Sequence, residues 1–110
     1  MKTYTKTYAT ALDALGDGTR RKVFERLRTG PRSVGELAAD LPVSRPAVSQ
    51  HLAALKSAGL VTDRADGARR VYSVDLRALI ELRVYFEEFW KQSLEAFKKE
   101  AESGSKEAEG

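Results

Sequence analysis

Arg45, Ser49 and Gln50 stand in the run SRPAVSQHLAALKS at residues 44–57, and each suits the edge of a flat, polar partner. A glutamine amide can bond bidentately to adenine. A guanidinium can pair with guanine, and a hydroxyl can reach a base or a phosphate. Small Ala47 lies between them and small Ala53 follows, and both would allow close approach or contact with a thymine methyl. A helix that merely covers a core usually shows water long charged side chains instead. Each residue also has a plainer role. Arg45 can bind only phosphate, Ser49 can bond its own helix backbone, and Ser44 is a helix cap whose oxygen can sit beside a phosphate. His51 is either a phosphate contact or a satisfied structural histidine, and Lys56 either a contact or a solvated lysine.

A second basic group, Arg69-Arg70, suits phosphates or a narrow A·T minor groove. Its plainer role is a charged edge that discourages strand pairing. Arg20 and Arg21 fit the fold and the flank of a nucleic-acid backbone better than base readout. Catalysis fits poorly. Ser49 and His51 are two apart on one helix and do not face each other as nucleophile and base. Gly16-Asp17-Gly18 lacks the remaining glycines and the lysine of a phosphate-binding loop.

Several elements must position these groups. Tyr8, Leu12 and Leu15 follow i, i+4, i+7 and mark one face of a first helix from about Thr7 to Gly16. Asp17 caps a second helix, with Val23, Phe24 and Leu27 buried and Gly30-Pro31 closing it. Ser33 and Glu36 form a capping box for a short helix to about Asp40. Pro42 stops it by disfavouring helical geometry at Leu41. Ser44 caps a fourth helix with Pro46 in its first turn, and Val48, Leu52 and Leu55 form its buried face. Two helices joined by a tight turn make a helix-turn-helix. In LVTDRADGARRVYSV, Asp66-Gly67 reads as a two-residue hairpin turn between strands. A hairpin directly after a helix-turn-helix is a wing.

Asp75 opens a last helix to about Glu102, roughly 40 Å long at 1.5 Å per residue. A compact domain of this size is only about 30–35 Å across. The helix therefore overshoots while still carrying Trp90, Leu94 and Phe97. A second copy of the chain is the simplest cover. The aromatic set suits a dimer core better than a cofactor box, although an apolar seam can also hold a small apolar ligand.

Charge is divided along the chain. Residues 1–74 carry 13 Lys/Arg against 7 Asp/Glu, and residues 75–110 carry 6 against 9, which points to a polyanion as partner of the first part. There is no cysteine, and no run approaches the roughly 20 apolar residues that span a membrane. A cytoplasmic protein is expected.

The segments LGDGTRRKVFERL, SVGELAADLPVSRPAVSQHLAALKSAGLV and GARRVYSVD resemble the ArsR family of bacterial winged-helix repressors over about residues 8–97. The resemblance implies a mainly α fold with a small β-hairpin and a homodimer built from the first and last helices. It also implies two recognition helices in successive major grooves of a dyad-symmetric double-stranded operator, and repression relieved by a small effector. Pro42 stands where the family commonly has Gly, and Gly18 where many members have Pro.

The expected DNA-facing set is Ser44, Arg45, Pro46, Ser49, Gln50, His51, Lys56, Arg69 and Arg70. The expected dimer set is Tyr8, Leu12, Leu82, Phe86, Phe89, Trp90, Leu94 and Phe97. Residues 1–6 read as a flexible N-terminus, 7–102 as the DNA-binding and dimerisation domain, and 103–110 as a disordered tail.

The family's metal sensing does not carry over. His51 is the sole histidine, and a structural zinc site wants about four N, S or O ligands. The two His51 of a dimer would lie roughly 34 Å apart, and Glu87, Glu88 and Glu95 alone would trap a transition metal poorly. No metal or cofactor is expected, and the effector stays unnamed. A winged-helix module that binds protein instead of DNA would be expected to lose the basic and amide groups that this chain keeps.

Overall fold

The computed structural model describes the backbone of residues 2–109 and the side chains of residues 9–104. Among the described residues, five helices and three short strands follow in the order α1 (Lys2–Leu15), α2 (Gly18–Glu25), β1 (Arg32–Ser33), α3 (Val34–Asp40), α4 (Arg45–Ser57), β2 (Val61–Asp66), β3 (Arg69–Val74) and α5 (Leu76–Glu109).

The caps sit where the sequence puts them. Asp17 accepts the Arg20 N–H at 3.0 Å. Ser33 and Glu36 complete their reciprocal box, at 3.2 Å from Glu36 N to Ser33 Oγ and 2.9 Å from Ser33 N to Glu36 Oε1. Leu41 turns extended before Pro42, and the Ser44 hydroxyl accepts the Ala47 N–H at 3.3 Å. Each cap satisfies a backbone donor that the helix itself leaves free.

Several boundaries differ from the expectation. α1 begins at Lys2, ahead of Thr7, since no Gly or Pro interrupts the segment before Gly16. α5 continues past Glu102 to Glu109. Gly104 costs about 1 kcal/mol of helix propensity, and the surrounding Glu, Lys and Ala offset it. α2 ends at Glu25, short of Gly30. Its tail tightens through bonds from Leu27 N to Phe24 O and Arg28 N to Glu25 O, a 3₁₀ pattern that still buries Leu27.

β2 and β3 pair antiparallel with Asp66 opposite Arg69, so the hairpin loop is Gly67-Ala68, one residue later than Asp66-Gly67. Gly67 has φ +64°, while Ala68 keeps a negative φ. That places Gly at the first central position, as a type II′ turn requires. β1 adds to the other edge of β3, giving the order β1-β3-β2. Two residues are too few to show an alternating pattern, so β1 has no sequence signal of its own.

The core joins Val23, Leu37, Val48, Leu52, Leu55 and Leu60, all fully buried. α1 meets it through Ala11 and Ala14, with Leu12 and Leu15 only partly buried. The periodicity of larger side chains therefore marked a neighbouring face. Tyr8 lies outside the residues with described side chains. Leu82, expected in a dimer seam, is 8% exposed and belongs to the chain's own core beside Ala78.

Candidate nucleic-acid interface

α4 is held from within by Val48, Leu52 and Leu55, which pack against the core. At 100° per residue the opposite face must point outward. Pro46, Ser49, Gln50 and Ala53 are exposed on it, and Arg45 is exposed on its flank. Ser44 is exposed as well, but its oxygen is engaged as the helix cap.

The wing arginines reach the same side. An open groove between the starts of α3 and α4 and the wing is lined by Gly35, Glu36, Arg45, Arg69, Arg70 and Tyr72. Arg45 lies so close to Gly35 that a β-carbon there would stand 2.7 Å from Arg45 Nη2. Arg69 reaches Glu36 and Asp66, both at 3.5 Å. Arg70 Nε donates to Asp63 Oδ2 at 2.8 Å, and Lys56 Nζ donates to Asp63 Oδ1 at 2.8 Å. Lys56 is thus an ion-paired residue at the foot of the wing rather than a freely solvated one.

Electrostatics follow from these pairs. Hydrogen bonds from Lys56 and then Arg70 hold the Asp63 carboxyl below the ordinary aspartate value. The Ser33 N–H, then the Ser33 side chain, hold Glu36 below the usual glutamate value, with Arg69 adding to the effect. With their cations half-exposed, such pairs contribute little to stability individually. Their effect here is to direct where the cations point.

His51 is half-buried, and its Nδ1 accepts from Arg20 Nε at 3.4 Å. That bond assigns the proton of a neutral ring to Nε2. Arg21 donates to the Leu15 carbonyl at 2.8 Å, closing the end of α1. Both α2 arginines therefore hold neighbouring elements.

Sequence reasoning overlooked Gly35, Glu36 and Asp63 as parts of this surface. Asp63 was accessible in principle. It pairs with Tyr72, and Arg70 is two residues from Tyr72, so the two are diagonal neighbours on one sheet face. Gly35 and Glu36 carried no such signal beyond the capping box.

On α5, one stripe stays uncovered. Leu79, Phe86, Trp90 and Phe97 are exposed, the last two at 65% and 69%, and Phe89 is exposed on the adjoining face. Leu94 is partly covered, and Tyr85 meets Phe86 edge-on with centroids 5.2 Å apart. Among the described residues no three His, Cys, Asp or Glu side chains gather as metal ligands, and no helix is long and apolar enough to cross a membrane.

A sequence profile of the bacterial regulatory protein arsR family matches residues 17–63, from α2 into β2. The HTH-type transcriptional regulator Rv2034 of Mycobacterium tuberculosis is 58% identical over 87 residues, covering 79% of this chain and 81% of that protein. The chain belongs to the arsR family. The transcriptional repressor SdpR of Bacillus subtilis is 35% identical over 66 residues, covering 60% of this chain and 73% of that one. The solved structure of an ArsR-like transcriptional regulator from Rhodococcus sp. RHA1 is 32% identical, with a TM-score of 0.72 over 90% of this chain and 95% of that one.

As an arsR-family member, the chain is a winged helix-turn-helix transcriptional regulator and not an enzyme. α3 and α4 are its helix-turn-helix, and β2 and β3 its wing. Regulators of the arsR family bind double-stranded DNA.

Proposed function

We propose that this chain is a cytoplasmic, homodimeric repressor that binds a dyad-symmetric operator and acts on its own upstream region. α4 enters the major groove, where Gln50 reads adenine and Arg45 and Ser49 contact bases or phosphates. Arg69 and Arg70 of the wing flank it on the backbone. His51 offers its Nε2–H to a phosphate, and Lys56 adds positive charge at the end of α4.

The observation that carries this reading is the division of α4. Its apolar side is fully buried, while an amide, a hydroxyl and a guanidinium are exposed beside the wing arginines. The dimer reading rests on the aromatic stripe of α5, since a lone chain rarely exposes contiguous apolar patches larger than a few hundred Å². Leu12 of α1 and Phe86, Phe89, Trp90, Leu94 and Phe97 of α5 would form the seam, with Tyr8 as the sequence suggests. Repression is supported by the likeness to SdpR, named as a transcriptional repressor.

Fluorescence anisotropy across a salt series, on the protein's own upstream DNA and on unrelated duplex, tests the reading. Tight binding with a wide gap between the two DNAs supports it. Equal, weak and strongly salt-dependent binding to both would replace it with an architectural role. No binding to either would point to a protein-interaction module.

A further inference from the structure

Asp63 connects two elements that the DNA-binding reading requires to act together. It lies on β2 with its side chain 9% exposed, and each carboxylate oxygen holds a different cation. Oδ1 takes Lys56 from the last turn of α4, and Oδ2 takes Arg70 from the returning strand of the wing, both at 2.8 Å. Both cations remain 55% exposed, so each can face the carboxylate and an outer partner together.

Beyond Val71, where β1 no longer pairs with β3, the wing is a two-stranded ribbon; such a ribbon twists strongly and is marginally stable by itself, so the direction of its tip depends on what ties its base. The base is held by β1 and by buried Val61 and Val71, and its tie to the end of α4 through Asp63 is electrostatic. With Asp63 neutral, Lys56 and Arg70 would be like charges close together, and their repulsion would push the wing away from α4. One carboxylate thus reverses the sign of the interaction between the recognition helix and the wing.

We infer that Asp63 is a positioning residue for DNA recognition, setting the wing against α4 so that base readout and wing contacts occur together. The inference rests on the DNA-binding reading above. It gives Asp63 an effect opposite to that of a simple charge on a DNA-facing surface. An acid that only repelled phosphate would, when neutralised, strengthen binding to every duplex alike. A positioning acid, when neutralised, strengthens unspecific binding and weakens specific binding.

The probe is a duplex enriched by the full-length protein from a random DNA pool, compared with a shuffled duplex of the same composition. If wild type enriches no sequence, the DNA-binding reading fails and this inference fails with it. With an enriched duplex in hand, Asp63→Asn is expected to lower the ratio of specific to unspecific affinity by about tenfold, the size of one charge-assisted bond. Shuffled-duplex affinity should stay equal or rise. An unchanged ratio, with both affinities moving by one factor, overturns the inference. Should Asp63→Asn not fold, Lys56→Gln breaks the pair from the exposed side. Loss of a mere phosphate contact would weaken both duplexes equally, whereas loss of positioning lowers the ratio.

Discussion

The Arg45 guanidinium rests against the backbone of Gly35, at a separation that a β-carbon would reduce to 2.7 Å from Nη2. This contact ties the first residue of α4 to the first turn of α3. It directs a candidate base-reading side chain along the groove that Arg69 and Arg70 also line. Gly35 is thereby part of the proposed DNA-facing surface without offering it a side chain.

Gly35→Ala should separate fold from recognition. The crowded atom is the far end of a flexible side chain, so Arg45 gives way before the helix does. Helix propensity should leave stability unchanged or raised by up to about 1 kcal/mol. Preference at the base pairs nearest Arg45 should fall as far as it does in Arg45→Ala. Thermal melts and a base-substitution series on the enriched duplex check both halves, and intact preference would show that the resting place of Arg45 is immaterial.

Base readers and backbone clamps should fail differently. Gln50→Ala is expected to cost about 1–3 kcal/mol at particular base pairs and little elsewhere. Replacing Arg69 and Arg70 together with Ala should weaken binding to all duplexes and reduce the salt slope by about 2. Anisotropy titrations at several salt concentrations distinguish the two patterns. Equal loss from Gln50→Ala on every sequence would remove it from base readout.

The α5 stripe predicts an oligomeric state. Trp90→Glu and Phe97→Glu place a charge on side chains that are 65% and 69% exposed in the single chain, so neither should unfold the core. In a dimer seam an unpaired buried charge is strongly unfavourable. Sedimentation velocity should show wild type as a dimer and the double variant as a folded monomer. An unchanged mass would place the dimer contact elsewhere.

Acid stability should follow the paired carboxylates. Asp63 is held low by Lys56 and Arg70, Asp17 by the Arg20 N–H, and Glu36 by the Ser33 N–H. A carboxyl depressed in the folded state contributes its full stabilisation above its unfolded value. That contribution is lost as pH falls through the folded value. Melting temperature should therefore stay level from neutrality to just above 4.5, the ordinary glutamate value, and decline below 4.5 and 3.8. Asp63→Asn should lose part of the decline. A melting curve that drops between pH 7 and 5 would contradict this assignment.

By itself the sequence determined the five helices, the hairpin and their order. Ser33, Glu36, Ser44 and Pro46 act on backbone groups within four residues, so spacing alone identifies where α3 and α4 begin. Val48, Leu52 and Leu55 repeat at the helical period, and that leaves Ser49 and Gln50 on the outer side with Arg45 on its flank. Only the tertiary structure decided which groups meet across elements. Asp63 with Lys56 and Arg70, Arg45 with Gly35, Arg20 with His51, and β1 with β3 all depend on how separate segments dock. The same holds for Ala11 and Ala14, which bury because small side chains let α1 approach the core. It holds for Leu82, buried by its own chain rather than left for a partner. A local pattern records what a residue does to its neighbours along the backbone. Charge pairing and close packing depend on distances that exist only after the elements have assembled.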